Sequence, residues 1–311
     1  MYKRLGLFIL LLLVGSVASA LAYDGVYFDH DPEELKQRYA NDESEFIEVN
    51  GVTIHFRDQG AGPTLLLLHG MNASLHTWDG WAQALADDFR VISLDLPGHG
   101  LTGPDPQRRY TWQETAQLVV AFADQLGLDQ FHLAGNSRGG AIAWHLALDY
   151  PDRVHKLILL DSAGLPFEDP VPLALQLQMM PVAKDIASIV TPKWLVRDSV
   201  DSVYGNPTGI ETSIYQRYHD LLLNQGNRRA ASEIMQQTFE QDFRHERLSE
   251  INHPTLILWG ENDQWIRLKY GERMHALIPN STFKIYQGIG HVPMEEIPQQ
   301  TAQDVLQFLK I

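Results

Sequence analysis

The stretch "HLAGNSRGGAIAWHLALDYP", residues 132–151, decides the fold. With Phe131 before it, its first residues form a short apolar run, as expected of a buried strand. The residues from 138 to 150 are helix-like, and Pro151 stops them. Between the two, Gly135-Asn136-Ser137-Arg138-Gly139 places a serine at the strand-to-helix junction, with glycines two residues before and two after. A sharp turn there forces the serine into strained backbone angles, and small residues at those offsets avoid clashes where strand and helix cross. The helix starting at Arg138 points free backbone N–H groups at developing negative charge. Ser137 is therefore the candidate nucleophile. A glycine-rich turn of some other α/β protein is the plainer alternative.

Working outward, "PTLLLLHG" (63–70), "FRVISLDLPGHG" (89–100), "HKLILLDSAG" (155–164) and "PTLILWG" (254–260) repeat the pattern of an apolar run closed by glycine or a polar residue. "STFKIYQG" (281–288) is a weaker version, and "FIEVNGVTIHFRDQG" reads as two strands joined at Asn50-Gly51, a strong hairpin signal. Helical patterns at 111–126, 138–150 and 297–310 alternate with these runs. Strands alternating with helices predict a mostly parallel sheet covered on both faces. Residues 165–250 break the alternation, hold no convincing buried strand and favour helix, which predicts a helical insertion between two strands of the sheet.

A serine hydroxyl needs a base, and the base needs a carboxylate to fix its tautomer. The chain has 13 histidines, so position must choose. "GIGHVPMEEIP" places His291 in a glycine-flanked loop between the last strand and the last helix. "LILWGENDQWI" offers Asp263 just beyond a buried strand, with Glu261 nearby; Asp161, at the end of "LILLD", competes for the same role. The order Ser137, Asp263, His291 is that of a serine hydrolase built on a parallel sheet.

Composition narrows the class. With 39 acidic against 24 basic residues the net charge is −15, which excludes a nucleic-acid footprint and a polybasic membrane contact. There is no cysteine, so disulfides, thiolate catalysis and cysteine-based zinc sites are excluded. At the start of the chain Lys3 and Arg4 precede a charge-free run, residues 5–23, ended by Asp24. As a helix this run spans roughly 28 Å, enough for a bilayer core, and the basic flank favours a cytoplasmic N-terminus with the rest exported. The expectation is a single-pass anchor over 1–24 in the cytoplasmic membrane, a juxtamembrane linker or helix over 25–44, and a catalytic domain on the outer side. Ala18-Ser19-Ala20 also fits a signal-peptide cleavage site, which would give a secreted or periplasmic protein.

These motifs give the resemblance. His69-Gly70 after one strand, Asp95-Leu96-Pro97-Gly98-His99-Gly100 after the next, GNSRGG, GEND and GIGH, in that order, resemble the α/β-hydrolase fold superfamily over roughly residues 45–310. The resemblance implies an α/β-hydrolase core over 45–164 and 251–311 with 165–250 as its cap or lid. It also implies an oxyanion hole from the backbone N–H groups of Met71 and Arg138, and a structural role for 95–100 and His99. With the N-terminal span, the chain is further similar to bacterial membrane-anchored lipases and phospholipases A.

The function expected is a serine carboxylic ester hydrolase acting on acyl or lipid esters, requiring no cofactor or metal. Leu, Met and Pro between 171 and 196 would line an acyl pocket, touch the bilayer or simply pack the cap. Trp78 and Trp81 lie near the oxyanion loop, where core packing is the expected role. An anchor helix would allow a homodimer. A carbon–carbon bond hydrolase of the same fold shares the triad, and a non-catalytic binding module is a third reading. Ser137 disfavours the relatives that use an aspartate nucleophile.

Overall fold

The computed structural model describes residues 28–166, 168 and 191–310. Eight strands form one sheet: β1 (Ser44–Val49), β2 (Val52–Gln59), β3 (Thr64–Leu68), β4 (Arg90–Leu94), β5 (Phe131–Asn136), β6 (Val154–Leu160), β7 (Thr255–Gly260) and β8 (Ser281–Tyr286). Their spatial order is β1-β2-β4-β3-β5-β6-β7-β8. The Asn50-Gly51 hairpin pairs β1 with β2 in antiparallel register, Val49 opposite Val52. β2 meets β4 antiparallel, and every later pairing is parallel. This is an α/β-hydrolase sheet.

Continuous apolar runs build it because both faces are covered. The two-residue period sorts each run: Leu66 and Leu68 face one core, Leu65 and Leu67 the other. The first core packs under helices α3 (Trp112–Gln125), α4 (Arg138–Asp149) and α8 (Leu268–Leu277), through side chains such as Phe122, Trp144 and Met274. The second packs under α2 (Asp79–Leu85) and α9 (Pro298–Lys310), through Trp81, Leu85 and Val305. The start of α3 is fixed by a capping box, Thr111 and Glu114 each bonding the other's backbone N–H.

Between β6 and β7 the described residues form helices α5 (Lys193–Val203), α6 (Thr212–Leu222) and α7 (Asn227–Glu240), and no strand of the sheet. These helices fall within the stretch 165–250 expected to be a helical insertion, of which 167 and 169–190 lie outside the described residues. Helix α1 (Pro32–Tyr39) precedes the sheet and does more than link. Leu35 is fully buried, and Arg38 and Tyr39 donate to Asp220 of α6 at 2.5 and 2.8 Å. Asp29 accepts from Arg228 of α7 at 2.6 Å, so the segment entering the domain is tied to the insertion rather than free of it.

The apolar run 5–23, read above as a membrane anchor, lies outside the described residues. Among the described residues no helix is long and apolar enough to cross a membrane.

Candidate active site

Ser137 has φ 54° and ψ −118°, a left-handed conformation that costs a non-glycine residue on the order of 1–3 kcal/mol. The sheet holds it there. Its N–H donates to Leu160 O at 3.0 Å, and its carbonyl accepts from Ala141 and Ala163 at 3.1 and 2.9 Å. The flanking glycines are required by contact: a Cβ on Gly139 would lie 2.2 Å from Leu68 O, and one on Gly135 would lie 2.3 Å from Gly139 O. No side chain fits where the strand hands over to α4.

Asp263 follows β7 and is buried. Its Oδ1 accepts from the backbone of Trp265 at 2.7 Å and Ile266 at 3.0 Å, and its Oδ2 accepts from His291 Nδ1 at 2.7 Å. That bond puts the His291 proton on Nδ1 and leaves Nε2 as a base. The His291 backbone is pinned on both sides. Its N–H donates to Val203 O of α5 at 2.7 Å, and its carbonyl accepts from Asn136 Nδ2 at 2.9 Å. Asn136, immediately before the nucleophile, thus couples the Ser137 turn to the His291 loop across 155 residues of sequence. Sequence reasoning missed this, because the middle position of G-x-S carries no pattern of its own. Glu261 is exposed and accepts from Gly288 N–H instead.

The loop after β3 lies against the nucleophile, since a Cβ on Gly70 would come 3.1 Å from Ser137 Cβ. Neither the Met71 nor the Arg138 backbone N–H has a backbone acceptor among the described residues. His69 Nδ1 donates to Gly70 O at 2.7 Å and Nε2 accepts from Leu96 N–H at 2.9 Å. Burial lowers its pKa to about 4, so it stays neutral and joins the ends of β3 and β4. Asp95 is also buried and accepts from Leu75 N–H, Leu101 N–H and His55 Nδ1 at 2.7, 2.8 and 2.7 Å. Burial opposes its ionisation, but the His55 bond and the nearby imidazoles outweigh it, and its carboxyl lies well below the usual range. His99 donates to Pro97 O, is buried and stays neutral. The 95–100 stretch is thus a hydrogen-bonded turn. Trp78 and Trp81 are fully buried in the second core. The Arg138 guanidinium is buried too, donating to Tyr110 O and Thr115 Oγ1 at 2.8 and 3.1 Å, with Nε and Nη1 unpartnered among the described residues. Burial lowers its pKa to about 10, so a cation stays beside the Ser137 turn at neutral pH.

Ser137 and His291 line one cavity of about 150 Å³. Its other wall is the insertion: Leu195, Val196 and Val200 of α5, and Leu222 of α6. Of the apolar stretch 171–196 flagged in the sequence, residues 171–190 lie outside the described residues, and Leu195 and Val196 line this cavity. The one cation of the described lining, Arg228, is bound to Asp29. Two clusters among the described residues have metal-ligand spacing. In His30, His219 and Asp220 the carboxylate is already paired with Arg38; the other cluster is Asp263 and His291 with Asp161.

A strained serine elbow, a buried aspartate–histidine pair and a parallel sheet are the parts of an α/β hydrolase. The profile of the alpha/beta hydrolase fold matches residues 63–186 and 213–298, and the chain belongs to that family. It is 28% identical to an uncharacterized hydrolase, YugF, of Bacillus subtilis over 84% of this chain and 96% of that protein. It is 29% identical to a 2-hydroxy-6-oxononadienedioate/2-hydroxy-6-oxononatrienedioate hydrolase of Klebsiella pneumoniae, covering 86% of this chain and 95% of that one. Among solved structures it is similar to a bacterial membrane phospholipase A at 30% identity and TM-score 0.72, covering 99% of this chain and 98% of that one.

Proposed function

We propose that the chain is a serine carboxylic ester hydrolase of apolar acyl esters, glycerophospholipids included, held by residues 5–23 at the outer face of the cytoplasmic membrane. The observation that carries the reading is the cavity at Ser137 and His291, walled by Leu195, Val196, Val200 and Leu222. It suits an acyl chain. A dicarboxylate substrate of the Klebsiella relative's kind asks for a free cation, and Arg228 in the described lining is taken by Asp29. The similarity to the membrane phospholipase A supports the reading further. That structural match covers 99% of this chain.

Ser137 Oγ attacks the ester carbonyl while His291 Nε2 takes its proton. The Asp263 carboxylate stabilises the imidazolium through Nδ1–H. The N–H groups of Met71 and Arg138 bind the oxyanion, a kind of contact worth on the order of 10²–10³ in turnover. His291 returns the proton to the leaving alkoxide. Water, deprotonated by His291, then attacks the acyl-serine and releases the acid with Ser137 restored.

The carbon–carbon hydrolase reading is kept alive by the Klebsiella relative, which has 29% identity. One experiment separates the two. Full-length protein and Ser137→Ala are assayed against a series of nitrophenyl acyl esters, phosphatidylglycerol vesicles and a ring-cleavage dienedioate. Ester and lipid turnover abolished by Ser137→Ala supports the proposal. Turnover of the dienedioate alone overturns it.

A further inference from the structure

Asp161 ends β6 on the strand beside β7, and sequence alone leaves it competing with Asp263 for the triad acid. Its side chain is fully buried, and its backbone has φ 43°. Oδ1 accepts from Gly260 N–H at 2.9 Å. Oδ2 is buried and has no partner among the described residues. One atom each from Asp161, Asp263 and His291 lie within 4.8 Å of one another.

Two carboxyls and one imidazole in a space from which water is excluded leave a question of where the protons sit. Asp263 has three donors, the Trp265 and Ile266 N–H groups and His291 Nδ1, which together satisfy an ionised carboxylate. Asp161 has one. Ionised, it would leave an unsolvated oxygen facing a second buried anion. As a neutral acid, it has a proton on Oδ2 and an acceptor within reach.

We infer that Asp161 is a neutral carboxylic acid at working pH and a positioning residue, its Oδ2–H donating to the Asp263 carboxylate behind His291. The inference rests on the triad reading for its role in catalysis, and on the buried pair alone for its protonation. The groups facing Asp161 are Asp263 and His291, Glu296 beyond them, and Tyr286 on β8. Burial, then the Asp263 charge, pushes the Asp161 carboxyl well above the usual range, and Glu296 adds in the same direction. The donated bond draws charge from Asp263, restrains its hold on the imidazolium, and fixes its orientation.

The test is Asp161→Asn, an isostere of the neutral acid that keeps an N–H donor and tolerates the left-handed backbone. If Asp161 is neutral, the acid limb of the pH profile does not move in the variant. If Asp161 is ionised, removing its charge lowers the His291 pKa, the acid limb moves down, and the rate falls by more than about tenfold; that result overturns the inference.

A second measurement needs no activity. A carboxyl whose folded pKa is raised gives a native state that binds a proton the unfolded chain has released. The associated stability is full below the unfolded value of about 4 and is lost as pH rises towards the folded value. Melting temperatures of wild type should therefore fall relative to Asp161→Asn as pH rises above about 4. The infrared spectrum of wild type at neutral pH should carry a protonated-carboxyl carbonyl band that the variant lacks. Parallel melting curves and no such band overturn the inference. If instead the triad reading fails, Ser137→Ala keeps ester turnover while the melting difference remains.

Discussion

Glu295, four residues after His291, is where the insertion is fastened to the sheet. Its side chain is 6% exposed and accepts from Thr77 of the core and from the Tyr204 and Tyr218 hydroxyls of the insertion, the latter two at 2.8 Å each. Arg217 stands 3.5 Å away. Burial and then the Glu295 charge push both phenols upward, so they remain donors. Glu295→Ala removes the common acceptor and strands three hydroxyls and a guanidinium. Breaking a buried charged pair by removing one partner costs about 3–5 kcal/mol. At about 2–4 °C per kcal/mol for a domain of this size, the melting temperature should fall by about 10 °C. Glu295→Gln keeps an acceptor and loses only the charge, so about 1–2 kcal/mol is expected. The assay is thermal unfolding of the full-length protein followed by circular dichroism, with amide hydrogen exchange to locate the effect. Faster exchange should be confined to Lys193–Leu222 and the His291 loop, because Val203 O holds His291 N–H. A loss below about 2 °C with unchanged exchange would refute the reasoning, since the hydroxyls would then have found other partners at no cost.

Asp263→Asn should lower turnover by about 10⁴, the size expected of a wrong histidine tautomer. His291→Ala should match Ser137→Ala, and the double variant should be little worse than either, as steady-state kinetics will show. Val200→Phe should shorten the acyl chain accepted: Val200 lines the cavity at 2% exposure, and each methylene that enters is worth about 0.8 kcal/mol, or roughly fourfold in kcat/KM. The variant should lose that gain for longer nitrophenyl esters and keep it for acetate; equal losses for both would remove α5 from the acyl site.

The local parts of this enzyme are legible in the chain. GNSRGG after an apolar run specifies the elbow, because only glycine fits at 135 and 139 once a strand and a helix cross there. Asn50-Gly51 specifies the hairpin, and the two-residue period of "LLLL" assigns each leucine to a core. Each of these is fixed by neighbours a few residues away. The tertiary structure decided what depends on distant partners. Asp161 and Asp263 both follow buried strands, and the sequence favours Asp263 without showing which of them His291 meets. Packing delivers His291 Nδ1 to Asp263 Oδ2 and leaves Asp161 with one backbone donor. The helix at 32–39 reads as a polar connector until Asp220 and Arg228 arrive from the insertion to bind it and Asp29. Asn136 and Glu295 carry no signal at all in sequence, since a single amide or carboxylate acquires its role only from donors and acceptors that chain separation hides.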